Sequence, residues 1–221
     1  MKKGTIVFDF DGTLHQTAAL YGCAFRTGYE MLVLRGYAKP REYSDEEVSK
    51  YLGMTADDMW KDFMPELPFE VKEEAKNIIS QSMDSQIAEG RAKLFEHTAE
   101  TLDALKADGY ELVILSNCRH KYLEEHRSFF NLDRWFCAYY AAQDYNLIPK
   151  EEIFKFVKKE HQGPFVMVGD RDSDVKAGKD NSAFTVGCLF GYGTREELAE
   201  CDYCIKDMSE LYSVIALLFA K

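Results

Sequence analysis

Two patterns of apolar and polar positions divide the chain. Residues 4–8 (GTIVF) form a short apolar run, which predicts a buried strand ending at the acidic stretch Asp9-Phe10-Asp11. From about 15 to 90 the strand pattern vanishes. Apolar spacing predicts a helix over 18–34, weakened by Gly22 and Gly28. Ser44-x-x-Glu47 reads as a capping box whose helix stops near Gly53, and Thr55-x-x-Asp58 opens another helix closed by Pro65. A longer helix fills 69–89 and stops at Gly90. Regular alternation follows. Helices are predicted over 98–107, 120–130 and 150–160, after Ser173, after Thr194 and from Ser209, and strands over 111–116, 136–140, 164–168, 183–189 and 203–205.

Strands separated by helices imply an α/β protein with a doubly wound parallel sheet. The first strand must join that sheet, because alone it has nowhere to satisfy its backbone. The expected division is therefore an α/β core from 1–14 and 91–221, interrupted by an all-helical insertion over 15–90. A length of 221 residues suits one sizeable domain plus a smaller one.

Charge narrows the partners. With 27 basic against 38 acidic residues, the net charge of −11 disfavours a nucleic-acid ligand, and an anionic substrate needs local positive charge from a metal or a placed lysine. The start, MKKGTIVFDF, has too short an apolar run for a signal peptide, and no stretch approaches membrane-spanning length, so a cytoplasmic protein is expected. In such a compartment the six cysteines (Cys23, Cys118, Cys137, Cys188, Cys201, Cys204) read as buried thiols. Cys201-x-x-Cys204 has redox or zinc spacing, but no second pair or histidine cluster accompanies it in sequence, which favours a structural role.

In a doubly wound sheet, ligands gather beyond the carboxyl ends of the strands. Four groups sit there: Asp9 with Asp11, Ser116 with Asn117, Lys150 before its helix, and Asp170 with Asp174. Each has a plainer reading: a loop carboxylate, a turn, a solvated lysine, a helix cap. Their shared edge is what points to chemistry. A phosphate monoester repels an anionic nucleophile, so attack by a carboxylate requires that repulsion to be cancelled. A hard cation held by Asp9, the Asp11 carbonyl and Asp170, with Lys150 and Ser116 holding phosphoryl oxygens, meets the requirement. Asp11, two residues from Asp9 on one side of an extended segment, can protonate the leaving oxygen and then activate water. Gly12 and Thr13 complete a turn whose N–H groups can face phosphate.

These residues resemble the haloacid dehalogenase superfamily. Asp9-Phe10-Asp11-Gly12-Thr13 is similar to its first motif, DxDGT, and VILSN (113–117) to its second. Lys150 in PKEEIF resembles the third and Gly169-Asp170-x-x-x-Asp174 the fourth. The stretches VGDRDSDVKAG and GYGTREEL look most like the phosphoglycolate phosphatase-like branch, with 15–90 in the place of a helical cap. The resemblance implies a Mg2+-dependent phosphatase of small phosphorylated metabolites, such as phosphoglycolate, a sugar phosphate, a nucleotide or pyrophosphate. It makes Asp9 the nucleophile that becomes an aspartyl-phosphate and Asp11 the acid/base. Gly12, Thr13, Ser116, Asn117 and Lys150 become the phosphate-binding residues; Asp9, Asp11, Asp170 and Asp174 form the metal shell, with Asp172 either behind those ligands or solvated, and not a direct ligand. It permits a monomer or a homodimer.

One departure concerns His15-Gln16, where relatives often carry an acidic residue. Within 15–90, Arg26, Arg35, Lys39, Arg41 and Tyr43 are either readers of an anionic leaving group or solvated surface, and Trp60 and Phe63 read as core. A phosphomutase of the β-phosphoglucomutase type and a receiver-like phosphoaspartate domain are the competing functions. Asp11 disfavours the receiver, which has no alcohol to protonate.

Overall fold

The computed structural model describes residues 2–219. Strand β1 (Thr5–Phe8) is fully buried and is followed by four helices: α1 (Ala18–Leu34), α2 (Asp45–Ser49), α3 (Ala56–Phe63) and α4 (Phe69–Ala88). Then come α5 (Thr98–Ala107), β2 (Glu111–Ser116), α6 (His120–Phe130), β3 (Ala138–Ala141), α7 (Lys150–Glu160), β4 (Phe165–Gly169), α8 (Asp172–Asp180), β5 (Phe184–Cys188), β6 (Tyr203–Ile205) and α9 (Leu211–Phe219). The chain forms two compact units, one from 1–16 with 94–221 and the other from 17–93.

In the first unit all six strands are parallel, in the order β3-β2-β1-β4-β5-β6. This is the doubly wound arrangement, and its strand order reverses between β1 and β4, where ligands collect beyond the carboxyl ends. Val7, Val113, Leu115 and Met167 face one core with Ile153, Phe154 and Val157 of α7 and Ala177 of α8. The alternate residues Ile6, Phe8, Leu112, Ile114, Val166 and Val168 are equally inaccessible. Both faces are covered, which is why these strands read as continuous apolar runs.

The α/β unit runs to 16 and resumes at 94, against the expected 14 and 91, because short bridges carry its first segment to Gln16 and join it to Leu94. His15 pairs with Leu94, Phe95 N–H donates to the Leu14 carbonyl at 2.9 Å, and the Gln16 amide donates to the Leu94 carbonyl at 2.9 Å. The expected helix after Thr194 is absent. Its residues form turns capped by the Thr194 hydroxyl, because Asp202, only eight positions on, must reach Thr185 to start β6. Among the described residues no helix is long and apolar enough to cross a membrane.

In the helical unit, α1 packs along α4. One of the two glycines that weaken α1 permits this packing, since a Cβ on Gly28 would stand 2.7 Å from Ile79 Cγ1 of α4, whereas Gly22 makes room for Asp45 of α2. The Ser44–Glu47 capping box forms as expected. Phe25, Tyr29, Tyr43, Tyr51 and Phe63 make one aromatic cluster, which Trp60 joins. Arg26 pairs with Asp45, Arg35 with Glu74, and Arg41 with Glu47 while covering the Tyr43 ring. The solvated reading suits these arginines better than leaving-group recognition.

All six cysteines are free thiols, but the expectation that all are buried is corrected. Cys137 and Cys204 are exposed, because each lies at an outer strand of the sheet, where one flank lacks a neighbour.

Candidate active site

Asp9 continues directly from β1, its N–H donating to the Val168 carbonyl of β4 at 2.9 Å. That extension carries its side chain past the sheet edge at the switch point. Lys150, the first residue of α7, reaches it there: Nζ donates to Asp9 Oδ1 at 2.8 Å and to Asp174 Oδ1 at 2.6 Å. All three side chains are about 97–98% buried. The lysine whose plainer reading was a solvated one is thus the central cation of the site.

Asp174 ties the fourth motif together. Its Oδ2 accepts the N–H groups of Asp170 (3.1 Å) and Arg171 (3.0 Å), so both of its oxygens are committed. Asp170 is fully buried; its Oδ1 accepts from the Thr13 hydroxyl at 3.2 Å and its Oδ2 from the Tyr192 N–H at 2.7 Å. Space around it is closed by glycine: a Cβ on Gly12, which has φ +83°, would lie 2.3 Å from Asp170 Oδ2, and one on Gly191 2.3 Å from Asp170 Cβ.

Burial pushes the Asp9 carboxyl well above the usual carboxylate range; Lys150 opposes this, and the charges of Asp174 and Asp170 add to it. Burial, then Asp174, pushes Asp170 up to about 7 against the Tyr192 N–H. Burial works to lower the Lys150 ammonium, but Asp174 and Asp9 outweigh it and leave the group raised, hence charged. One buried lysine therefore faces three buried carboxylates whose oxygens lie within 4.8 Å of one another. An excess of buried negative charge among oxygen donors is what a hard divalent cation neutralises, so the residues present fit Mg2+.

Asp11 is held elsewhere in the same turn. Its Oδ1 accepts from the Tyr122 hydroxyl of α6 at 2.7 Å and lies 3.2 Å from His15 Nδ1. His15 is fully buried and stacked on Phe10, with centroids 5.3 Å apart. Neither partner belongs to the four motifs. His15 was visible only as a departure from the pattern, and Tyr122 carried no sequence signal.

Ser116 ends β2 and is buried, its Oγ accepting the Cys118 N–H at 3.3 Å. Asn117 follows it, half-buried. This loop reaches the same locality, since the charges of Asp11 and Asp9 add to the burial that raises the Cys118 thiol. In the first loop the Gly12 N–H donates to the His15 carbonyl at 3.0 Å and the Thr13 hydroxyl donates to Asp170 at 3.2 Å. Asp172 begins α8 and is exposed.

The sheet order, with this acid–lysine cluster at its switch point, is that of a doubly wound α/β protein. The chain belongs to the haloacid dehalogenase-like hydrolase family, whose model matches residues 6–188, and it is accordingly a hydrolase. It is 26% identical to a protein named pyrophosphatase PpaX from Anoxybacillus flavithermus, over 98% of this chain and 99% of that one. Its fold is similar to the crystal structure of a protein described as a predicted phosphatase from Clostridium acetobutylicum (TM-score 0.84, 20% identity, 98% and 100% of the two chains). It is also similar to that of a protein described as a predicted phosphoglycolate phosphatase from Haemophilus somnus (TM-score 0.80, 20% identity, 97% and 99%).

Proposed function

We propose that this hydrolase is a Mg2+-dependent phosphatase of small phosphate monoesters or pyrophosphate, with Asp9 as nucleophile and Asp11 as acid/base. The observation that carries the reading is the buried Lys150 bridging Asp9 and Asp174 beside Asp170, a charge arrangement suited to admitting a phosphoryl group to a carboxylate. The names borne by the relatives agree with it.

Asp9 attacks phosphorus, and an aspartyl-phosphate forms as the bond to the leaving oxygen breaks. Asp11, neutral at this stage, gives that oxygen its proton. As a carboxylate, Asp11 then takes a proton from water, which attacks the aspartyl-phosphate and frees Asp9 and inorganic phosphate. Lys150 offsets charge on the nucleophile, and Ser116 is assigned to a phosphoryl oxygen. Asp9, Asp170 and the Asp11 carbonyl would hold Mg2+, which when bound supplies charge neutralisation between carboxylates and phosphate. Asp174, which accepts from the Lys150 ammonium and from two N–H groups of the α8 loop, orients this metal shell through Lys150. The helical unit, 17–93, is the segment we assign to leaving-group recognition.

The test is phosphate release from a panel of phosphoglycolate, sugar phosphates, nucleotides and pyrophosphate, with Mg2+ and without any bisphosphate. Turnover of at least one panel member, lost by about 10³-fold or more in Asp9→Asn, is the expected result. Retained turnover in that variant would remove Asp9 as nucleophile. Transfer that needs a bisphosphate activator would favour the mutase.

A further inference from the structure

We propose that Glu111, Cys137 and His161 form a second cation site, for Zn2+, at the sheet edge opposite the active site. Glu111 opens β2, Cys137 immediately precedes β3, and His161 immediately follows α7. All three therefore lie at the amino ends of the strands, whereas Asp9 and Asp170 lie at the carboxyl ends. One donor atom from each falls within 4.8 Å of the others.

The histidine points to a ligand. Its side chain is 91% buried, and its Nδ1 has no hydrogen-bond partner. The nearest carboxylate oxygen, Glu111 Oε2, stands 3.7 Å away, beyond hydrogen-bonding reach. The other ring nitrogen is spoken for. Nε2 lies 3.0 Å from the Tyr140 hydroxyl, whose own proton goes to Glu160 Oε2 at 2.7 Å. That hydroxyl can only accept from His161, so Nε2 carries a hydrogen and Nδ1, on the side of Glu111 and Cys137, is the nitrogen left to ligate. A carboxylate acting through a hydroxyl to orient a histidine is the support that metal-binding imidazoles receive.

The spacing suits a tetrahedral ion. Bonds of about 2.0–2.3 Å put tetrahedral ligand atoms roughly 3.3–3.8 Å apart. Here His161 Nδ1 stands 3.7 Å from Glu111 Oε2 and Cys137 Sγ stands 4.0 Å from the other carboxylate oxygen, Oε1; with one donor from each residue within 4.8 Å of the others, the donors close on the ion by a contraction of up to about 1 Å. A sulfur, an imidazole and one carboxylate select zinc over magnesium, which takes oxygen donors, and leave a fourth position for water. Binding breaks the Cys137 S–H bond and releases its proton to solvent; the 3.4 Å contact from that thiol to the Leu112 carbonyl is given up. Lys2 pairs with Glu111 in the metal-free protein, but it is 59% exposed, and such pairs are weak enough to be displaced.

Co2+ is the probe, added to the full-length protein after chelator treatment and with Mg2+ in excess. The expected result is a near-ultraviolet thiolate-to-cobalt charge-transfer band that saturates at one equivalent and is bleached by Zn2+. Cys137→Ser should abolish the band while keeping the wild-type circular dichroism. Tyr140→Phe should retain the band but weaken affinity about 10–100-fold, through loss of the contact that orients His161. The absence of a band in the wild type would overturn the site. So would a band surviving in Cys137→Ser, since five other thiols remain to supply it. Unchanged affinity in Tyr140→Phe would remove His161 as a ligand. None of these readouts depends on phosphatase activity.

Discussion

Asp11 receives the Tyr122 hydroxyl and faces the His15 imidazole through one oxygen, Oδ1. An acid/base that must deliver a proton to one oxygen and take one from water gains from a fixed orientation, and these two contacts supply it. Tyr122 is a positioning residue in this reading. Tyr122→Phe keeps the ring against Phe10 and His126 but removes the 2.7 Å hydrogen bond. A hydrogen bond to a charged group contributes about 1.5–3 kcal/mol, so kcat should fall roughly tenfold or more with KM little changed. Equal kcat and a shifted KM would assign Tyr122 to substrate binding. At this scale the four motifs were legible because their residues sit beside strand ends in sequence. The Tyr122 contact was not, because a tyrosine on an amphipathic helix carries no mark of what it meets 111 positions away.

At the scale of elements, β6 is three residues long and stands at the edge of the sheet, so side chains must hold it. Asp202 does so: its carboxylate accepts from the Thr185 N–H (2.8 Å) and hydroxyl (2.9 Å) and from Lys179 (2.8 Å). Burial works to raise this carboxyl, but Lys179 and the Thr185 N–H prevail and hold it below its ordinary 3.8. A carboxyl depressed on folding stabilises the native state above its unfolded pKa and loses that contribution as pH falls through the folded one. Acid unfolding monitored by circular dichroism below pH about 4 should therefore be less steep in Asp202→Asn than in the wild type. Equal slopes would mean that Asp202 does not contribute. The same bonds explain the missing helix after Thr194: local helical signal there is overridden by the need to bring Asp202 back to β5.

For the whole molecule, the dominant electrostatic feature is one lysine among three buried carboxylates. A cation that binds this cluster only in the folded state must stabilise the fold, by about 2.7 kcal/mol at one hundred times its dissociation constant. Saturating Mg2+ should raise Tm by several degrees in differential scanning fluorimetry, and Asp170→Asn should lose most of that rise. An equal rise in the variant would place the ion elsewhere. By itself the sequence determined the alternation of strands and helices, the inserted helical stretch, the strand-end positions of Asp9, Asp11, Ser116 and Asp170, and the helix-start positions of Lys150 and Asp174. It did so because periodicity, caps and glycine stops are local physics. Tertiary structure alone decided that Lys150 is buried between Asp9 and Asp174, that Gly12 leaves the space Asp170 fills, and that Glu111, Cys137 and His161 share one edge. Those facts depend on which strands become neighbours, and a crossover sheet sets that through packing over the whole chain.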